Sequence, residues 1–61
     1  MDLREARFKR RLTQFDLRLK TGIHQSKISH FERGFMQPRQ DEKARLAKAL
    51  GFRPEEIDFG K

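Results

Sequence analysis

Apolar residues recur along this chain at helical intervals, in short blocks broken by Gly22, Gly34, Pro38, Gly51 and Pro54. Extended apolar–polar alternation is missing, and there is no valine, so the pattern predicts an all-α fold. Helix 1 is predicted over 3–10, with Asp2 as N-cap, Glu5 three residues on, and Leu3, Ala6 and Phe8 turned inward. Helix 2 is predicted over 14–20. Thr13 caps it, Asp16 takes the third helical position, and Leu12 packs on Leu17 as a hydrophobic staple. Gly22 suits the left-handed residue that ends such a helix. Helix 3 spans 25–33 and stops at Gly34. Helix 4 spans 41–50, with Asp41 and Glu42 at its positive end and Leu46, Ala47 and Leu50 inside. A short last helix starts at Pro54, followed by Glu55 and Glu56, and Phe52 and Ile57 pack it back. Phe8, Phe31 and Phe52 read as core. Phe15, Phe35 and Phe59 read as partly exposed, with Phe59 a candidate dimer contact.

Helices 2 and 3 are joined by a tight turn that Gly22 permits, and they touch where Leu17, Ile23, Ile28 and Phe31 meet. At about 100° per residue, Ser26, Ser29, His30 and Arg33 then lie opposite Ile28 and Phe31. All four can hydrogen-bond and none is acidic. A helix presenting that face can enter the major groove of a duplex, where base-pair edges are distinguishable.

Charge sharpens this picture. The 61-residue chain carries a formal net charge of +6, and the excess is uneven. Residues 1–39 hold ten Lys/Arg against four Asp/Glu, whereas residues 40–61 hold five of each. One-sided basic charge is the electrostatic footprint of a polyanion partner. With 39% charged and 34% hydrophobic residues, only a small core is available, and one domain covering 1–61 is expected. There is no cysteine, which excludes disulfides and thiol chemistry. No apolar run approaches the roughly 20 residues of a membrane span, and residues 1–5 carry no signal-like apolar segment. The expectation is a soluble cytoplasmic protein without cofactor or metal.

The stretch 13–34, with Thr13-Gln14, Leu17, Gly22-Ile23, Ile28, Phe31-Glu32 and Gly34 in register, closely resembles the helix-turn-helix of the lambda-repressor and Cro-like family of phage and bacterial regulators. Leu46-Ala47-Lys48-Ala49-Leu50-Gly51 is similar to the family's fourth helix and Pro54-Glu55-Glu56-Ile57 to its fifth. The resemblance spans nearly the whole chain and implies a compact domain of four to five helices. Some positions depart from the pattern. Arg18 stands where Ala is usual and must snorkel outward or hold the helices apart. Arg11 replaces a Gly in the first turn. His24, Arg39 and Arg53 replace capping Ser or Thr, which weakens the caps while adding donors for phosphate.

The resemblance implies roles for named residues. Gln25 and Ser26 open helix 3 at positions that reach base edges. Lys27 can bond guanine or a phosphate. Ser29 either bonds an edge or is small enough to let the backbone approach, and His30 reaches a base or the sugar-phosphate backbone. Gln14, at the start of helix 2, is matched to a phosphate clamp, assisted by the free N–H groups of the helix start. His24, Arg33 and Arg39 join it as phosphate contacts, with Arg10, Arg11 and Arg18 as weaker candidates. Arg7 and Glu32 match a structural ion pair tying helix 1 to helix 3. For each polar residue the plain alternative is a solvated surface.

The function expected from these readings is sequence-specific binding of a double-stranded operator, by a homodimer on two-fold symmetric DNA, in transcriptional repression or regulation. A second reading is an antitoxin or adaptor whose main role is to bind a protein partner, for which Phe15, Leu19, Phe35 and Met36 offer apolar surface. A third is non-specific nucleic-acid binding. An enzyme is not expected: no nucleophile–base motif, Gly-rich phosphate loop or metal-ligand spacing is present.

Overall fold

The computed structural model describes residues 1–60. Four helices follow one another: α1 (Leu3–Lys9), α2 (Gln14–Thr21), α3 (Gln25–Arg33) and α4 (Gln40–Leu50), then a 3₁₀ turn at Pro54–Glu56. Among the described residues no β-strand forms; one isolated bridge pairs Asp2 with Asp58, and the Asp58 N–H donates to the Met1 carbonyl at 2.6 Å. The fold is the all-α domain expected, with the fifth helix reduced to a single 3₁₀ turn.

Local chemistry sets the boundaries. The Glu5 N–H donates to Asp2 Oδ1 at 2.8 Å and the Asp2 N–H to Glu5 Oε1 at 3.2 Å, closing a capping box on α1. Thr13 and Asp16 do the same for α2, at 3.0 and 2.9 Å. Arg39 has no side-chain acceptor, so α4 begins with half a box: Glu42 Oε1 accepts the Arg39 N–H at 2.9 Å. Gly22 ends α2 with φ of 76°, in the left-handed region that costs other residues. Arg11 takes φ of 56° in the α1–α2 turn without being a glycine.

Helix α2 packs on both α3 and α4, α1 packs on α3, and the 3₁₀ turn packs on α4. The core they share is Leu3, Ala6, Leu17, Ile23, Ile28, Phe31, Leu46, Ala47, Leu50, Ile57 and Phe59. Leu12, Ala49 and Phe52 pack against it, partly buried. Two of the aromatic assignments are corrected. Phe8 is not core: it is 55% exposed, because Leu3, Ala6 and Arg7 occupy the inner face of α1 and its ring turns out beneath the guanidiniums of Arg4 and Arg7. Phe59 is buried in the core and is therefore not available as a dimer contact.

Arg10 is also reassigned. Its Nε donates to the Leu50 carbonyl at 2.6 Å, and its guanidinium lies 4.1 Å from the centre of the Phe52 ring. It closes the C-terminus of α4, where free carbonyls favour a cation. Arg18 is exposed, so the α2–α3 packing is kept by the outward route.

Candidate nucleic-acid interface

Helix α3 is placed by Ile28 and Phe31, both buried, and that fixes the outward face. Ser26, His30 and Arg33 are exposed, and Ser29 is half-buried beside them. Gln25 and Lys27 flank this face on either side, both half-buried. No acidic side chain stands on the outward face itself. Glu32 is turned toward α1.

The start of α3 is closed by an uncommon cap. His24 Nδ1 accepts the Ser26 N–H at 3.2 Å and lies 2.9 Å from Ser26 Oγ. The Ser26 backbone N–H takes the Nδ1 lone pair, and the Ser26 hydroxyl sits within hydrogen-bond distance of the same ring nitrogen. The cap that the usual Ser or Thr would supply is supplied here by an imidazole.

One hollow beside α3 is lined by Arg4, Arg7, Gln14, Ser29, Glu32 and Arg33. Glu32 forms its floor. Its Oε2 accepts from Arg7 Nε at 2.7 Å, and its Oε1 accepts from Arg7 Nη2 at 3.0 Å and Gln14 Nε2 at 3.1 Å. Arg7 Nη1 donates to the Leu12 carbonyl at 2.9 Å. The pair is nearly dry, with side-chain exposures of 9% and 5%, and it links α1 to α3 and, through Gln14, to the start of α2. The second N–H of the Gln14 amide points to no protein acceptor among the described residues and is free for an anion. With Arg7 neutralised by Glu32, the free cations at the rim are Arg4 and Arg33.

The opposite flank is held by Glu42. Its carboxylate is buried and accepts Lys27 Nζ at 2.7 Å and the Arg39 N–H at 2.9 Å. The Lys27 hydrogen bond, then the Arg39 N–H, hold its carboxyl below the ordinary 4.5 despite burial. The Arg39 guanidinium stays exposed, 3.5 Å from Asp41 and 3.7 Å from Glu42.

The structure therefore brings Gln14, Ser29 and Arg33 into one hollow, and places Ser26 and His30 on the open face with His24 behind Ser26. It separates Lys27 and Arg39, which gather around Glu42. Sequence reasoning missed Arg4 as a rim residue and Glu42 as a buried hub. Arg4 stands one helical turn before Arg7, so the Arg7–Glu32 match carried the signal that this side of α1 faces α3. Glu42 looked like a first-turn acid serving the helix dipole. His30 is steadied from below by Phe35, ring centres 6.0 Å apart.

Two helices crossed over a glycine turn, the second held by its inner face with its polar side outward, make a helix-turn-helix unit. The family model for the helix-turn-helix domain matches residues 2–59, and the chain belongs to that family, in its lambda-repressor-like class. These are DNA-binding domains and typically not enzymes. No curated protein and no solved structure gives a significant match. No helix among the described residues is long and apolar enough to cross a membrane.

Proposed function

We propose that residues 1–61 act as one sequence-specific DNA-binding domain of a transcriptional regulator. In this reading α3 lies in the major groove of a two-fold symmetric operator, and two copies occupy half-sites about 34 Å apart. Gln25, Ser26, Ser29 and His30 meet base edges, with Lys27 at the margin. Gln14, Arg33, Arg39 and His24 stand against phosphates, and Arg4 joins them from α1. Repression follows if the operator overlaps a promoter.

The observation that carries this reading is the outward face of α3, polar and free of acid, beside a hollow rimmed by Arg4 and Arg33. A phosphate fits that hollow because the Gln14 amide and two cations converge there while the only carboxylate is already neutralised. The Ser26 hydroxyl, which can donate or accept, is able to bond either kind of base edge in the major groove.

Selection from random duplexes at near-physiological salt tests the proposal. A two-fold symmetric motif, with half-sites one turn apart, is the expected product. Retention without any enriched motif would replace this reading with non-specific binding.

A further inference from the structure

A second surface lies at the other end of α2. Lys20, Arg45, Lys48 and Ala49 line a shallow cleft between α2 and α4. Gln14, at the phosphate hollow, and Lys20 are about 9 Å apart along the helix axis at 1.5 Å per residue. Among the described residues neither Lys20 nor Lys48 forms an ion pair. Asp16 stands one turn from Lys20, but its carboxylate is engaged by Thr13. Arg45 donates to the Thr21 carbonyl at 3.1 Å and pairs with Asp41, which holds its guanidinium in place at the cleft. Three cations thus share a concave site with two carboxylates near them, Asp41 paired with Arg45 and Asp16 engaged by the Thr13 N–H.

Next to Lys20 on α2, two apolar side chains are exposed, with Arg18 on their other side. Leu19 is 68% exposed and Phe15, one turn back, is 51% exposed. A single exposed leucine is ordinary. An apolar pair at helical spacing on the helix that carries Lys20, one of two unpaired lysines of a basic cleft, is less so. Phosphate backbone offers nothing to cover Leu19 and Phe15. A second copy of this chain would bring the same three cations against each other across a two-fold contact.

We propose that the α2–α4 edge is a docking surface for an acidic, amphipathic segment of a protein partner. Apolar residues of that segment cover Phe15 and Leu19, and its carboxylates reach Lys20, Arg45 and Lys48. The outward face of α3 is left open, so the partner and DNA bind together. The DNA part of this statement rests on the function proposed above; the docking part does not.

The test uses the whole chain and a helical peptide of about 18 residues, five turns, with leucines on one face and glutamates beside them. Amide shifts and fluorescence anisotropy are followed with and without a duplex. The expected shifts fall on Phe15, Leu19, Lys20, Arg45, Lys48 and Ala49. Lys20→Glu with Lys48→Glu is expected to weaken the peptide by about tenfold or more, since charge pairs across a contact reverse from attractive to repulsive. Replacing the peptide's glutamates by glutamine should weaken it similarly, without altering the protein's own charge. Leu19→Ser, with both lysines kept, provides a second loss that does not depend on charge. Absence of peptide binding to the folded chain, shifts on α3 in place of the edge, or indifference to both variants would overturn the proposal. So would a duplex that by itself shifts the cleft residues, which would assign the cleft to nucleic acid. Duplex binding measured without peptide reports on the DNA reading separately.

Discussion

At the scale of single residues, the bond made and the bond left free are what matter. Gln25 opens α3 and has no side-chain partner among the described residues, so its amide is available to an adenine. Gln25→Ala is expected to cost about 1–3 kcal/mol on the selected duplex and little on random DNA, measured by competition titration. An equal loss on both would remove Gln25 from base reading. Arg11 presents the opposite case, a residue in the wrong conformation for its type. Its left-handed backbone costs about 1–2 kcal/mol, and glycine would recover that cost less the part its freer unfolded chain takes back. Arg11→Gly should therefore raise the thermal midpoint by a few degrees, since about 1 kcal/mol moves a domain this size by about 4–8 °C. A drop would mean that the arginine side chain contributes more than its backbone costs. This strain was legible in the sequence, because Arg11 stands where the family resemblance puts glycine. The His24 cap was not. Imidazole is a poor match to the usual cap residues, and only the 3.2 Å contact to the Ser26 N–H reveals it.

At the scale of elements, α3 is held on both sides by buried carboxylates. The Arg7–Glu32 pair ties it to α1. Arg7→Met leaves Glu32 buried without its cation and should cost about 3–5 kcal/mol in chemical denaturation. Adding Glu32→Leu should restore much of that loss, because no charge is then stranded. The Glu42 hub ties α3 to α4 through Lys27. Its carboxyl lies below its ordinary 4.5 in the folded chain, so the stability it contributes is complete above that pH and is lost as pH falls through the depressed value. Asp16 acts with the same sign, since the Thr13 N–H lowers it from 3.8. The thermal midpoint should therefore be level from neutrality to about pH 5 and fall below it. Glu42→Gln should lower the plateau and flatten the acid limb; an unchanged limb would show that the hub does not couple to folding. Helix boundaries were readable within a residue because caps and glycines are local. Phe8 was not, because whether an aromatic points in or out depends on which turn of α1 Arg7 claims for Glu32. Glu42 escaped for a related reason: burial of a first-turn acid is decided by Lys27, fifteen residues away and on another helix.

The whole molecule places its cations unevenly, and that sets how it meets a polyanion. Each phosphate contact releases counterions, so the slope of log affinity against log salt drops by about 0.9 for every contact removed. Arg4→Ala and Arg39→Ala should each lower the slope by roughly that amount and weaken all duplexes alike. A slope that stays fixed for Arg4→Ala would take the hollow out of the interface. The basic excess in residues 1–39 was plain from the sequence, whereas its division into a hollow at the start of α2 and a cleft at its end required the packing of α1 and α4.

The hydrogen bond from Asp58 to Met1 has a consequence for how the chain can be rearranged. It brings the backbone at residues 1 and 58 side by side. A few added residues can therefore close the chain into a ring without displacing a helix, and fresh ends can be cut in the exposed stretch 35–37 between α3 and α4. In such a circular permutant α3 becomes the last helix, and whatever is fused after it starts from the very edge of its outward polar face.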